Sequence, residues 1–375
     1  MRSYAGDVDF PYARLRRRPD VEADNLQAHD ATDALLVARA LTLDVRGEDI
    51  AVIGDEYGAI TLPLTASGRK GVRVHQDLAT GRRALALNAA DLDLDGFVPH
   101  ELDADLLAGV RLVLLQLPKS LAELEEVADA VARWAAPDVV LVAGGRVKHM
   151  TLAQNEVLAR SFGSVQAERA ERKSRLVVAS APREVPADPP FPVSQRHGDL
   201  TLVAHGGAFA GARLDIGTRV LLDVLDDSAP AAGTVVDLGC GTGALAVSYA
   251  AAHPEARVIA TDRSAAAVAS ARATVAANGV AARVSVTHDD AGSELPDTSA
   301  DLVLLNPPFH LGTSVHAGAA TRLFEAAARL LRPGGELFTV FNSSLAYRAE
   351  LTRLVGTTEQ LRRTPKFTVT RSVRR

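Results

Sequence analysis

The strongest constraint on this chain is one pattern used twice. A short apolar run leads into a glycine-containing turn and then a helical stretch, once on each side of a proline-rich segment. In the second half, TVVDLG (234–239) reads as a buried strand and turn, and ALAVSYAAAH (244–253) as a helix. RVIATD (257–262) is a strand, and residues 264–279 form an alanine-rich helix that stops at Gly279. RVSVTHDD (283–290) and DLVLLNPPF (301–309) are strands. TRLFEAAARLLRPGG (321–335) is an amphipathic helix ended by Pro-Gly-Gly, and ELFTVF (336–341) is a strand. Continuous apolar strands alternating with helices predict a mainly parallel sheet covered on both faces.

The first half repeats the plan. Residues 49–68 hold strand, glycine turn and helix, and GVRVHQD (71–77) is a second strand. RLVLLQLPKS (111–120) is a strand ending in a proline turn, followed by a helix over 121–135 and a strand over 138–145. Between the halves, residues 181–198 carry five prolines and few aliphatics, which favours stiff, extended backbone. The expected division is therefore a first α/β domain over 1–180, a linker over 181–198 and a second α/β domain over 199–375. This is a duplicated, doubly wound domain, not a solenoid.

Composition narrows the function classes. A hydrophobic share of 47% is ample for packed cores. The single cysteine, Cys240, excludes a disulfide framework and a cysteine-cluster zinc site. The ten histidines show no paired spacing on a helix, so no metal is expected. No apolar run approaches the roughly 20 residues that span a bilayer, and the first residues contain no apolar secretory core. The expected address is the cytoplasm, with no membrane partner. Net charge is −5, which argues against nonspecific coating of nucleic acid. Cations nevertheless cluster at Arg14, Arg16, Arg17 and Arg18, and at Arg362, Arg363, Lys366, Arg371, Arg374 and Arg375. Such ends read either as solvated, frayed tails or as phosphate contacts.

Two turns carry chemistry. Asp237-Leu238-Gly239-Cys240-Gly241-Thr242-Gly243 sits between a strand and a helix, and its three glycines let a ligand approach the backbone. With Ala244 it also fits the G-x-G-x-x-[GA] dinucleotide pattern. Asp262 ends the next strand, where a carboxylate can accept from a ribose diol or, with Ser264, cap a helix. Asp237 lies on the strand itself, placed to meet a cationic amino-acid group, which favours S-adenosylmethionine over NAD. Asn306-Pro307-Pro308-Phe309 ends a strand at the sheet's carboxyl edge. Its prolines remove two donors and leave the Asn306 side-chain oxygen and the Pro307 carbonyl as stiff acceptors for an NH2 group. Phe309 offers a face on which a planar base can stack.

On DLGCGTG, Asp262 and NPPF, the chain resembles the class I S-adenosylmethionine-dependent methyltransferases that act on amino groups. More closely, it is similar to the ribosomal RNA guanine-N2 methyltransferases of the small- and large-subunit type. The similar segments are AFAGARLDIGTRVLL (208–222), LLNPPFH (304–310), RLVLLQLPKSLAELEE (111–126) and GGRVKHM (144–150), the last two pointing to the large-subunit member. That resemblance implies two tandem Rossmann-like methyltransferase domains with only the second active, S-adenosyl-L-methionine as cofactor, ribosomal RNA as partner, and a monomer. It implies catalytic roles for Asn306, Pro307, Pro308 and Phe309. It places Asp237, Gly239, Cys240, Gly241, Thr242, Gly243 and Asp262 at the cofactor, with Asp290 near the adenine (Asp289 being the alternative) and Asp215 and Gly217 packed over it. Phe209 and His310 are expected at the substrate, with core packing the alternative for Phe209 and a plain polar strand end for His310. Cys240 is expected to be small and buried rather than a nucleophile.

The first half departs from these motifs. Ile53-Gly54-Asp55-Glu56-Tyr57-Gly58-Ala59 puts acids and a tyrosine where glycines are needed, and Gln116-Leu117-Pro118-Lys119 replaces the acceptor pair. This half is therefore expected to do no transfer. It is expected either to hold RNA through Lys119, Arg146, Lys148 and His149 or to brace its twin. Competing readings keep the fold but methylate adenine N6 or protein glutamine. Others take the glycine loop for a dehydrogenase site, or the whole chain for an RNA-binding scaffold with a vestigial fold.

Overall fold

A computed structural model of the chain describes residues 9–228, 230, 232–308 and 314–375. It divides into two compact units between Phe191 and Pro192. In the first unit, α1 (Ala31–Leu41) precedes β1 (Ile50–Ile53), α2 (Thr61–Ala66), β2 (Val72–His75) and α3 (Ala79–Asp91). Then come β3 (Phe97–Pro99), α4 (Ala104–Leu107), β4 (Leu112–Gln116), α5 (Leu121–Trp134) and β5 (Val140–Arg146). The unit closes with α6 (Leu152–Ser161), β6 (Phe162–Ala167) and β7 (Ser174–Pro182). Its strands are ordered β3-β2-β1-β4-β5-β7-β6, and only the pairings of β7 are antiparallel.

The second unit opens with a hairpin, β8 (Val193–His197) and β9 (Leu200–Ala204), followed by α7 (Ile216–Ser228). β10 (Thr234–Leu238), α8 (Ala244–Ala252), β11 (Arg257–Asp262), α9 (Ala265–Ala277), β12 (Val284–His288) and β13 (Ala300–Leu305) follow. After them come α10 (Ser314–Leu330), β14 (Leu331–Asn342), α11 (Tyr347–Leu354), β15 (Gly356–Arg363) and β16 (Phe367–Arg374). The order is β12-β11-β10-β13-β14-β16-β15, the same permutation as in the first unit. Both units are α/β, mainly parallel and doubly wound.

The apolar runs are continuous because both faces of each sheet are covered. Leu302 and Leu304 of β13 join one core with Val235 and Phe338, while Val303 and Leu305 join the opposite core with Val236 and Phe324. Alternate side chains of one strand thus feed two different cores.

Three details differ from the sequence reading. Val193–His197 lies inside the proposed linker span yet forms β8, since the last proline of that span is Pro192. The helix expected to reach Pro-Gly-Gly ends at Leu330, and residues 331–335 already belong to β14. The basic ends are not frayed where described: Arg14 and Arg18 bond to Asp91, Arg17 reaches Asp20 and the Val21 carbonyl, and the final cations lie on the β15–β16 hairpin.

The glycine turn also sets how two helices pack. Gly243 has φ +81, and a Cβ built there would lie 3.2 Å from the Ala271 Cβ and 3.3 Å from its Cα on α9. Gly243→Ala is expected to cost about 1–3 kcal/mol through left-handed strain and forced separation of α8 from α9, read by urea unfolding.

Candidate active site at the carboxyl edge of the second sheet

β10 is the strand at which the sheet order reverses, with β11 on one side and β13 on the other. Ligands of open α/β sheets bind at such a switch point, outside the carboxyl ends of the strands. In register, Leu238 lies beside Thr261 and Asp237 beside Leu304. The residues that follow, Gly239, Asp262 and Asn306, therefore stand in a row on three adjacent strand ends. Sequence reasoning named all three, and the sheet brings them together.

Gly239 and Gly241 have φ of +76 and +53, and among the described residues a Cβ at either would meet nothing within 4 Å. The open side of this turn is room for a ligand lying on bare backbone. The Gly239 and Cys240 N–H groups donate to the Thr261 carbonyl, at 2.8 and 3.0 Å, which ties the turn to β11. Asp262 accepts from the Gly241 N–H and from the Ser264 N–H, each at 2.9 Å, so its carboxylate is held in one orientation over the turn. The helix cap itself is Ser264, whose hydroxyl accepts from the Ala267 N–H. Thr242 and Cys240 are buried, and burial pushes the Cys240 thiol up.

Asp237 lies beneath the turn. Its side chain is wholly buried. One oxygen accepts from the Ala246 N–H at 3.0 Å and the other has no partner among the described residues. It braces the first turn of α8 from beneath through its bonded oxygen. At the end of β12, Asp289 accepts from the Ser293 hydroxyl and the Glu294 N–H, and Asp290 is ion-paired with Arg322 of α10.

Asn306 is held from behind. Its Nδ2 donates to Asp215 Oδ2 at 3.2 Å and to Thr218 Oγ1 at 2.9 Å. Two acceptors on that side force the amide nitrogen toward α7, so Oδ1 must face the other way. Oδ1 is buried and has no partner among the described residues. Asp215 also caps α7 by accepting from the Thr218 N–H at 3.1 Å. Gly217 permits this crowding: a Cβ there would lie 3.0 Å from Asp215 Oδ2 and 3.2 Å from the Phe367 ring. Asp215 and Gly217, expected over a cofactor, are therefore found shaping the support of Asn306. Thr218 was not anticipated, although D-x-x-T before an apolar run is a capping spacing that could have raised it.

Pro307 is buried and Pro308 exposed. Phe209 is 68% exposed, which overturns core packing for it. It precedes two residues with positive φ, Ala210 and Gly211, and lies between the buried Ala208 and Ala212. Phe309 and His310 lie outside the described residues.

The first unit shows what the same frame looks like after substitution. By strand register, Gly54, Gln76 and Gln116 stand where the second unit has Gly239, Asp262 and Asn306, and Val52 stands for Asp237. Asp55 turns into the fold and accepts from the N–H groups of Gly58, Ile60 and Thr61 at 2.9, 3.0 and 2.7 Å. Tyr57 is buried, with its hydroxyl on Asp20 at 2.9 Å and Arg17 over its ring. One carboxylate inside the turn thus takes up three backbone donors of the turn and the following helix start. Arg146 pairs with Asp30, while Lys119, Lys148 and His149 are exposed.

Burial pushes the Asp237 carboxyl up to about 7, with the Asp262 charge adding to the effect and the Ala246 N–H opposing it. The native chain then keeps a proton that the unfolded chain releases near pH 4, so stability falls as pH rises from about 4 to about 7. In urea unfolding of the cofactor-free protein, the wild type is expected to lose up to about 4 kcal/mol relative to Asp237→Asn over that window. Parallel pH profiles would show the assignment wrong.

Comparison with known proteins agrees with this geometry. The "Methyltransferase small domain" family model matches residues 199–371, and the "RLMG N-terminal domain" model matches residues 6–183. Ribosomal RNA large subunit methyltransferase G of Pseudomonas aeruginosa PAO1 is 36% identical over 373 residues, covering 96% of this chain and 97% of the relative. The protein of the same name from Streptomyces coelicolor is 35% identical over 378 residues, with the same coverage. Among solved structures, a T. thermophilus 16S rRNA N2 methyltransferase in complex with AdoMet and guanosine matches with a TM-score of 0.74 at 24% identity, covering 92% of each chain, which shows the shared two-unit fold. The chain belongs to the ribosomal RNA large subunit methyltransferase G family.

Proposed function

We propose that the second unit transfers the methyl group of S-adenosylmethionine to the exocyclic N2 amine of a guanosine in ribosomal RNA. The observation that carries this reading is the buried, unpartnered Asn306 Oδ1, whose partner nitrogen is fixed by Asp215 and Thr218. A buried acceptor without a donor is costly, of order 1–3 kcal/mol, and an incoming N–H removes that cost. The strand end thus selects a substrate amine.

The residues present fit the cofactor. The open backbone at Gly239 and Gly241 takes its methionine part, and the oriented Asp262 carboxylate takes the ribose hydroxyls. Asp290, ion-paired with Arg322 of α10, is assigned to the adenine end. Bound there, the cofactor supplies a methyl carbon activated by a sulfonium.

The rest follows from this chain's own groups. Guanine N2 is a poor nucleophile because its lone pair is delocalised into the ring. Asn306 Oδ1 and the Pro307 carbonyl accept its two N–H bonds, which draws the nitrogen toward tetrahedral geometry and frees the lone pair. Pro307 and Pro308 bring no N–H of their own to compete. Phe309 stacks on the base, and Phe209 and His310 border it. Acceleration comes from position and pre-aimed dipoles. The proton leaves to water after the N–C bond forms, so no strong base is needed. We infer that one chain suffices, because every group named belongs to the second unit, and that the work is done in the cytoplasm, where ribosomal RNA is assembled. Among the described residues no helix is long and apolar enough to cross a membrane, and no metal-binding cluster occurs.

Asn306→Ala is expected to lower kcat on ribosomal RNA by about 10²–10³-fold while S-adenosylmethionine affinity, read by calorimetry, stays within about twofold. Near-normal turnover would overturn the assignment, as would mass spectrometry finding the label on any nucleoside but N2-methylguanosine. Thr218→Val keeps shape but removes one acceptor behind the amide. It is expected to reduce kcat by about 3–10-fold with little change in KM; a KM effect alone would mean Thr218 serves only binding.

A further inference from the structure

The strand register sorts the six cations near the chain's end. β16 runs antiparallel to β14, with Phe367 opposite Asn342 and Val373 opposite Glu336. At about 3.4 Å per residue, those two positions are roughly 20 Å apart. Asn342 ends β14 at the carboxyl edge of the sheet, the edge where Asn306 follows β13. Arg371, Arg374 and Arg375 therefore lie toward the far edge. Arg371 is spent on Glu336 and Glu359, and Arg375 on the Thr352 carbonyl. Arg362, Arg363 and Lys366 lie at the near edge, around the β15–β16 turn.

That turn abuts the support of Asn306. The Phe367 ring, with Lys366 Nζ 5.5 Å from its centre, fills the space left by Gly217, one residue from both Asp215–Ile216 and Thr218. Helix α7 exposes Ile216, Arg219 and Asp223, three and four residues apart and so on one face. Arg362 pairs with Asp223 at 3.3 Å, which fastens the hairpin to this face and neutralises the acid nearest Arg219; Asp226 and Asp227 lie exposed at the far end of α7, away from its start. What remains is Arg213, Arg219, Arg363 and Lys366. All four are exposed, and among the described residues none takes part in an ion pair. Ile216, 57% exposed, shares the α7 face with Arg219.

We propose that Arg213, Arg219, Arg363 and Lys366 form a phosphate track that grips the ribosomal RNA backbone beside the target guanosine. The track lies on the α7 face and the β15–β16 turn, next to the residues that aim Asn306. Four unpaired cations on a chain of net charge −5 are a local positive surface within a repelling whole, which fixes where a polyanion can settle. This inference rests on the reading of Asn306 as the amine acceptor, since it runs the strand past that residue.

Counterion release supplies the test. The full-length protein is titrated with protein-free ribosomal RNA by filter binding between about 50 and 200 mM salt. Removing a cation that neutralises one phosphate of a single strand lowers the slope of log affinity against log salt by about 0.7, so Arg219→Ala/Lys366→Ala is expected to lower it by about 1.4. Affinity is expected to drop at least about tenfold at the low-salt end, with S-adenosylmethionine binding unchanged as the control for folding. Arg374→Ala, on the far edge, is expected to keep the wild-type slope. A double variant with the wild-type slope, or an Arg374→Ala slope that falls as far per residue, overturns the track. Asn306→Ala separates the two readings: it is expected to keep the full salt slope while losing turnover, so an active Asn306→Ala enzyme sinks the acceptor assignment without touching the slope measurement.

Discussion

The site depends on one side-chain amide held at its nitrogen end. Asp215 and Thr218 both accept from Asn306 Nδ2, and that leaves Oδ1 buried with no donor among the described residues. An unsatisfied acceptor in a low-dielectric pocket is worth more to an incoming N–H than the same acceptor in water. Everything around it serves to keep it so. Asp215 is fixed because it caps α7, α7 approaches closely because Gly217 has no side chain, and Phe367 packs into the space that results. The orientation of a single amide is thus determined by a helix start, a glycine and a strand from the far end of the chain.

The two units show one strand frame carrying two different turns. They share strand order and register, and even the hydrogen bond behind the strand-end amide survives: Gln116 donates to Asp33 at the start of α1, much as Asn306 donates to Thr218 at the start of α7. The difference lies in where the buried acid sits. In the second unit the buried acid is on the strand, at Asp237, and the turn above it stays bare. In the first unit the strand carries Val52 and the acid has moved into the turn, where Asp55 satisfies three backbone donors itself. Burial pushes that carboxyl up, and its three N–H bonds work against the shift. The first unit has kept the strand frame while placing a buried acid inside its turn.

Asp237 shows what a sequence leaves undecided. Its place before the glycine turn suggested a ligand contact, because sequence shows that an acid is near a loop but not which way it points. The sheet turns its side chain toward α8, on the core face shared with Val235, and it becomes a support for the loop. The dinucleotide reading of the same loop had equal standing by pattern alone. It gives way once Asp262, the bare turn and the Asn306 corner are seen on adjacent strand ends and the family match spans both units.

Much of the fold was legible because its signals are local. Periodicity marked β10, β11 and α9 to within a residue or two, since a strand buried on both faces must be apolar throughout and a helix must stop near a glycine such as Gly279. β13 stops at Leu305, short of the expected 309, because the Asn306-Pro307-Pro308 corner cannot continue a ladder. The glycine turn, Asp262 and the Asn306 corner were legible for the same reason: each is a contiguous motif with its own stereochemistry. What sequence could not supply was every relation between distant segments. It could not see that Thr218 stands behind Asn306, that Asp290 meets Arg322, or that a basic chain end is a β hairpin with only one end at the catalytic edge. Local pattern determined which residues could do chemistry. Packing of α7 and β16 against the sheet decided which of them face it, because side-chain direction is fixed by neighbours that only folding brings within reach.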